Sequence, residues 1–158
     1  MIEKDTIKKT IELKVFTFES LTDEFKKLCN EAQKAALNAY AVYSQFKVGA
    51  AVLLEDNTII TGNNQENIAY PSGLCAERTA LFYTHSQFPN KKIKAIAIYS
   101  PDATSLLTPC GACRQVMIEY ETLQETPIAT LLIHSNDVYI LSSTKDWLPF
   151  EFNEKKLK

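Results

Sequence analysis

The stretch Cys75-Ala76-Glu77-Arg78, read with Pro109-Cys110-Gly111-Ala112-Cys113, limits what this chain can fold into more than any other feature. Two short segments carry three thiols and one carboxylate, and the fold must bring them together if they are to act as one site. Cys110 and Cys113 are three residues apart, so a single helical turn places both sulfurs on one face. Cys75 stands 35 positions before Cys110 and supplies a third sulfur from a separate element. Three protein donors around Zn²⁺ leave one tetrahedral position open for water, which distinguishes catalytic zinc sites from closed structural ones. Glu77 lies two residues beyond a ligand and can reach that position without coordinating the metal.

Composition narrows the setting. A chain of 158 residues with a hydrophobic share of 46% suits one soluble domain, and a domain of this size buries roughly 70% of its unfolded surface. The net charge of −2 carries no basic footprint for a polymeric nucleic acid. Residues 1 to 9 are charged and lack the apolar centre of a signal peptide, and no apolar run is long enough to span a membrane. The cytoplasm is the expected compartment. There disulfides are rare, and closely spaced cysteines more often bind metal, so the four cysteines do not read as two disulfides.

Along the chain, residues 7 to 18 alternate apolar and polar and predict a strand or an extended arm, so residues 1–19 read as an N-terminal extension and 20–158 as the main domain. Its bland reading is an added edge strand, its alternative an arm reaching another subunit. Residues 20 to 40 predict a helix capped by Ser20 or Thr22, with an apolar stripe at spacings of three and four; Cys29 beside it reads as a small buried hydrophobe. Residues 46 to 54 and 58 to 62 predict a hairpin turned at Glu55-Asp56-Asn57, and Gly49 inside its first strand predicts a close backbone approach. A helix from Cys75 to about Ser86, a strand near 93 to 99, a helix from about 110 to 122, and strands near 128 to 134 and 137 to 142 follow. Strands alternating with helices indicate a three-layer α/β arrangement around a mixed sheet.

The strings Asn64-Gln65-Glu66-Asn67, Cys75-Ala76-Glu77-Arg78-Thr79-Ala80 and Pro109-Cys110-Gly111-Ala112-Cys113-Arg114-Gln115 resemble the homotetrameric, three-cysteine cytidine deaminases, from about Tyr40 to Phe152. The resemblance implies a three-layer α/β/α fold with a central mixed five-stranded sheet, to which the N-terminal extension is additional. It implies one Zn²⁺ per chain on Cys75, Cys110 and Cys113, with Glu77 moving protons. It also implies hydrolysis of cytidine and 2′-deoxycytidine to uridine and 2′-deoxyuridine in nucleoside salvage.

Further roles follow from the same resemblance. Asn64 and Glu66 match the pair that binds the ribose hydroxyls, and the carboxylate disfavours a 5′-phosphate. Phe46 matches the aromatic that packs on the pyrimidine, and Tyr70 a residue reaching a neighbouring subunit's pocket. In the terminal segment Phe152, chosen over Phe150, matches an aromatic that covers a site across an interface. Lys47 stands where relatives commonly have proline.

Charge supplies a physical reason for Arg78. Three thiolates on Zn²⁺ leave a formal charge of −1, which helix N-termini and a cation can offset, so Arg78 is expected to donate to a ligand sulfur. His85 and His134, the only histidines, read as structural. Two other readings keep the same sulfurs. A deaminase of a cytosine nucleoside analogue, such as an aminoacylated antibiotic, would share the zinc site. A non-catalytic zinc module would need a fourth protein ligand and tolerate loss of Glu77.

Overall fold

The computed structural model describes residues 4–153; residues 1–3 and 154–158 lie outside the described residues. Its nine main elements are β1 (Leu13–Thr17), α1 (Asp23–Leu37), β2 (Gly49–Leu54), β3 (Ile59–Asn63), α2 (Ala76–Gln87), β4 (Ile93–Tyr99), α3 (Gly111–Gln124), β5 (Ala129–His134) and β6 (Asp137–Leu141). The strands form one sheet in the order β1-β6-β5-β4-β2-β3. Only β4 and β5 run parallel, joined through α3, and every other neighbouring pair is antiparallel.

Six strands are present where five were expected. The added one is β1, which pairs in antiparallel register with β6, Leu13 opposite Leu141 and Thr17 opposite Asp137. The physical reason is that β6 would otherwise end the sheet with unpaired backbone groups, and the alternating segment before α1 supplies a partner.

Three layers follow from the pleat. Along β2 the even residues Ala50, Val52 and Leu54 pack with Ala76, Ala80 and Leu81 of α2 and Met117 of α3. The odd residues Ala51 and Leu53 pack with Leu28, Cys29 and Ala32 of α1. A strand buried on both faces must read as a continuous apolar run, as Ala50–Leu54 does. Helix α1 starts where Thr22 accepts a hydrogen bond from the Phe25 N–H, and the predicted hairpin turns with Asn57 at φ 67°, a left-handed position that asparagine tolerates.

Two glycines let helices seat closely. A Cβ on Gly49 would lie 2.1 Å from the Ala32 carbonyl oxygen of α1, which bears out the close approach expected there. A Cβ on Gly62 would lie 2.5 Å from the Ala80 nitrogen and 2.9 Å from the Ala76 oxygen of α2. Gly62 therefore presses the first turns of α2 onto β3, and those turns carry the site.

Candidate active site

Helices α2 and α3 begin side by side, and a cysteine opens each. Cys75 (φ −70°, ψ 155°) and Cys110 (φ −67°, ψ 165°) occupy the extended position just before the first helical residue, and Cys113 follows in the first turn of α3. The Cys75 carbonyl accepts from the Thr79 N–H and hydroxyl, and the Cys110 carbonyl from the Arg114 N–H, so both starts are held in place. The sulfurs face one another: Cys75 Sγ is 3.8 Å from Cys110 Sγ, which is 3.5 Å from Cys113 Sγ, and all three lie within 4.8 Å. Zn–S bonds of about 2.3 Å in tetrahedral geometry set sulfurs about 3.8 Å apart, so this donor set fits zinc. Cys29, the fourth thiol, is buried on α1 against the other face of the sheet, and burial pushes it up to about 12. It serves packing, and among the described residues the cluster has three donors.

The cluster draws on positive ends. The sulfurs sit at two helix N-termini, where free N–H groups and the helix dipoles stabilise negative charge. The Cys75 thiol is lowered to about 5, first by a hydrogen bond from Cys113 and then by Arg78. Cys113 is correspondingly raised, by holding the proton it shares with Cys75 and by burial. Arg78 Nη2 donates to Cys75 Sγ at 3.8 Å, as charge compensation requires, and its Nε is buried without a partner among the described residues.

Glu77 follows in the first turn of α2 and is only 5% exposed. Burial raises its carboxyl above the usual carboxylate range, while contacts to its own N–H and to Cys113 work the other way. A carboxyl so placed holds a proton more readily than one in water.

Beside the cluster opens a cavity of about 490 Å³, lined by Tyr43, Ser44, Asn64, Glu66, Tyr70, Cys75 and Arg78. Its size lies within the range of small-molecule sites. Glu66 Oε2 accepts from the Tyr43 and Ser44 N–H groups at 2.8 and 3.3 Å, and the Ser44 hydroxyl and Tyr43 N–H hold its carboxyl below the usual range. Asn64 Oδ1 accepts from the Val48 N–H and its Nδ2 donates to the Phe46 carbonyl, so this amide ties residues 46–48 to the end of β3. One N–H and one lone pair of that amide remain. Tyr70 is exposed and meets Tyr43 edge-on, with ring centroids 6.3 Å apart.

The structure thus gathers Asn64, Glu66, Tyr70, Cys75 and Arg78 on one cavity. Phe46 lines a second crevice with residues Asp102–Thr108. Phe152 lies apart and exposed, its carbonyl accepting from Gln115 Nε2 at 2.8 Å, and Phe150 is exposed beneath the Lys9 ammonium.

Several contributors had no readable signal in the sequence. Asp102 accepts from the Lys47 N–H at 2.8 Å, across 55 residues, and so steadies the Phe46 segment. Arg114 donates to the carbonyls of Pro109 and Trp147 and to the Thr108 hydroxyl, and stacks over Trp147, which pins the loop that delivers Cys110. Only the pairing of residues distant in the chain reveals them.

Two convergent helix starts, three sulfurs and a buried carboxyl define a zinc-hydrolase type of centre. Residues 22–136 match the cytidine and deoxycytidylate deaminase zinc-binding region, and the chain belongs to that family. It is 48% identical over 92 residues to the cytidine deaminase of Halalkalibacterium halodurans, covering 58% of this chain and 68% of that one. Against the Sporosarcina psychrophila cytidine deaminase it is 47% identical over 97 residues, covering 61% and 70%. The crystal structure of the Burkholderia pseudomallei cytidine deaminase superimposes with a TM-score of 0.73 at 38% identity, over 84% of this chain and 100% of that one.

Proposed function

We propose that this protein hydrolyses cytidine and 2′-deoxycytidine to the uridine nucleosides and ammonia, with Cys75, Cys110 and Cys113 holding one Zn²⁺ per chain. The observation that carries the reading is the buried Glu77 carboxyl one residue inside the helix opened by Cys75, beside three sulfurs that lie within 4.8 Å of one another. Bound zinc supplies the Lewis acidity that makes a water nucleophilic near neutral pH. Glu77 takes one proton from the attacking water and passes it to N3 of the cytosine ring as the oxygen adds at C4. It then takes the remaining proton of the added hydroxyl and delivers it to the amine, which departs as ammonia. Its burial suits this alternation, because it raises the carboxyl's hold on a proton above that of an exposed carboxylate. Arg78 offsets the excess negative charge of the thiolates.

Glu66 and Asn64 accept and donate to the ribose hydroxyls, and the Glu66 charge repels a 5′-phosphate, which favours nucleosides over nucleotides. Phe46 packs on the pyrimidine. Tyr70 and Phe152, both exposed in the single chain, serve sites shared between subunits of a homotetramer that works in the cytoplasm. Among the described residues no helix is long and apolar enough to cross a membrane.

The test pairs zinc per chain with the loss of ultraviolet absorbance and release of ammonia when pure protein meets cytidine. One zinc with turnover is expected. Zinc without turnover of cytidine overturns the substrate assignment, and no zinc overturns the site.

A further inference from the structure

We propose that the outer edge of β1 is a pairing surface for a second copy of this chain, joined antiparallel about a two-fold axis at Leu13. The edge is open in backbone terms. Phe18 donates to the Asn136 carbonyl at 2.9 Å and, in the β1–β6 register, stands opposite it. Antiparallel ladders alternate hydrogen-bonded and non-hydrogen-bonded pairs, so Phe16 and Lys14 also point their N–H and C=O groups at β6. Leu13 and Val15 therefore point theirs outward, with no strand beyond them among the described residues. An edge of this kind is a template for another strand.

The side chains choose the partner and the register. An antiparallel pairing of β1 with itself must match outward groups with outward groups, so odd residues face odd residues. Centring on Leu13 sets Leu13 opposite Leu13 and Ile11, in the segment just before β1, opposite Val15 of the other copy. It also sets Glu12 opposite Lys14, twice, in non-hydrogen-bonded pairs, where side chains approach most closely. Centring on Lys14 would oppose two ammonium groups, and centring on Glu12 two carboxylates, both unfavourable. Centring on Val15 leaves the charges without cross-strand partners. Glu12 and Lys14 already share a face within the chain at 3.5 Å, so the pairing closes a ring of four alternating charges.

Burial points the same way. Ile11, Leu13 and Val15 are 47%, 38% and 56% exposed, more than isolated apolar residues of a finished sheet edge call for. Ile11 and Leu13 also border an apolar crevice of about 340 Å³ with Leu141 and Trp147. The pairing brings a second set of the same three side chains onto this stripe. β1 precedes the family match at residues 22–136. The surface therefore belongs to this chain's extension.

The test is solution mass by sedimentation equilibrium, with circular dichroism to confirm folding. Val15→Pro removes an outward N–H without costing a β6 hydrogen bond, and Lys14→Glu opposes carboxylates across the junction. Each should lower the mass at least two-fold, and the exchange E12K/K14E should restore it. Under mild oxidation Leu13→Cys should cross-link copy to copy, because opposed Cα atoms at a hydrogen-bonded pair lie about 5.5 Å apart, within disulfide reach. Lys14→Cys should not. Equal masses across the series, or the same cross-linking by both cysteine variants, overturns the proposal. A different partner on the edge would show as cysteine variants that never cross-link to themselves, which overturns it too. None of these readouts depends on zinc or turnover, so the edge and the reaction fail separately.

Discussion

Glu77 and Glu121 are both buried carboxyls in the helices that carry the sulfurs, at 5% and 2% exposure, yet their surroundings differ in kind. Glu121 accepts from four donors: the Ile128 and Thr144 N–H groups and the Ser143 and Thr144 hydroxyls. It fastens the second half of α3 to the start of β5 and to the turn after β6. Glu77 meets its own N–H and the Cys113 thiol, and burial raises its proton affinity. A carboxylate saturated by four donors holds structure. An unsaturated buried one is free to gain and lose a proton, which is what acid–base chemistry requires.

The largest effect that would sharpen this contrast is on rate. Glu77→Gln should keep fold and zinc while turnover of cytidine falls by about 10²–10⁴-fold or more, measured by steady-state kinetics with metal analysis. Near-normal turnover would remove Glu77 from its role. Glu121→Ala should do the reverse: stability in urea falls on the order of 3 kcal/mol, because buried donors lose their acceptor, while turnover per folded molecule drops far less than with Glu77→Gln. Equal kinetic losses from both variants would break the comparison.

Arg78→Ala comes next, with zinc affinity or turnover reduced about 10- to 100-fold, read by competition with a chelator alongside kinetics. If neither changes, charge compensation by Arg78 is wrong. The smallest effect concerns Glu66, a half-buried carboxylate whose proton affinity is lowered by the Ser44 and Tyr43 contacts. Its grip on residues 43–44 is complete above the ordinary carboxylate range and is lost as pH falls through its lower folded value. The Tyr43 amide resonance should therefore titrate with a midpoint below about 4.3, and Glu66→Gln should abolish that titration. A midpoint at or above the ordinary value counts against the contact.

Much of the site was legible because its signals are local. The Cys-x-x-Cys spacing, the carboxylate two positions after Cys75, and Arg78 one residue further each depend on a single helical turn, whose geometry the backbone dictates. Asn64 and Glu66 were legible through their motif, but the work of the Asn64 amide was not. It is committed to the backbone of Phe46 and Val48, 18 and 16 residues away. Asp102, Arg114 and Gly62 were missed for the same reason, since their partners come from other elements.

By itself the sequence determined the elements, their order, both helix starts and the identity of the donor set, because periodicity, caps and ligand spacing are short-range properties. Only the tertiary structure decided that β1 completes the sheet at β6. It alone set the three sulfurs within 4.8 Å and made Glu77 a buried carboxyl rather than a surface one. Those outcomes depend on burial and on contacts between distant segments. These arise only once the helices are pressed against the sheet, and no stretch of chain carries them alone.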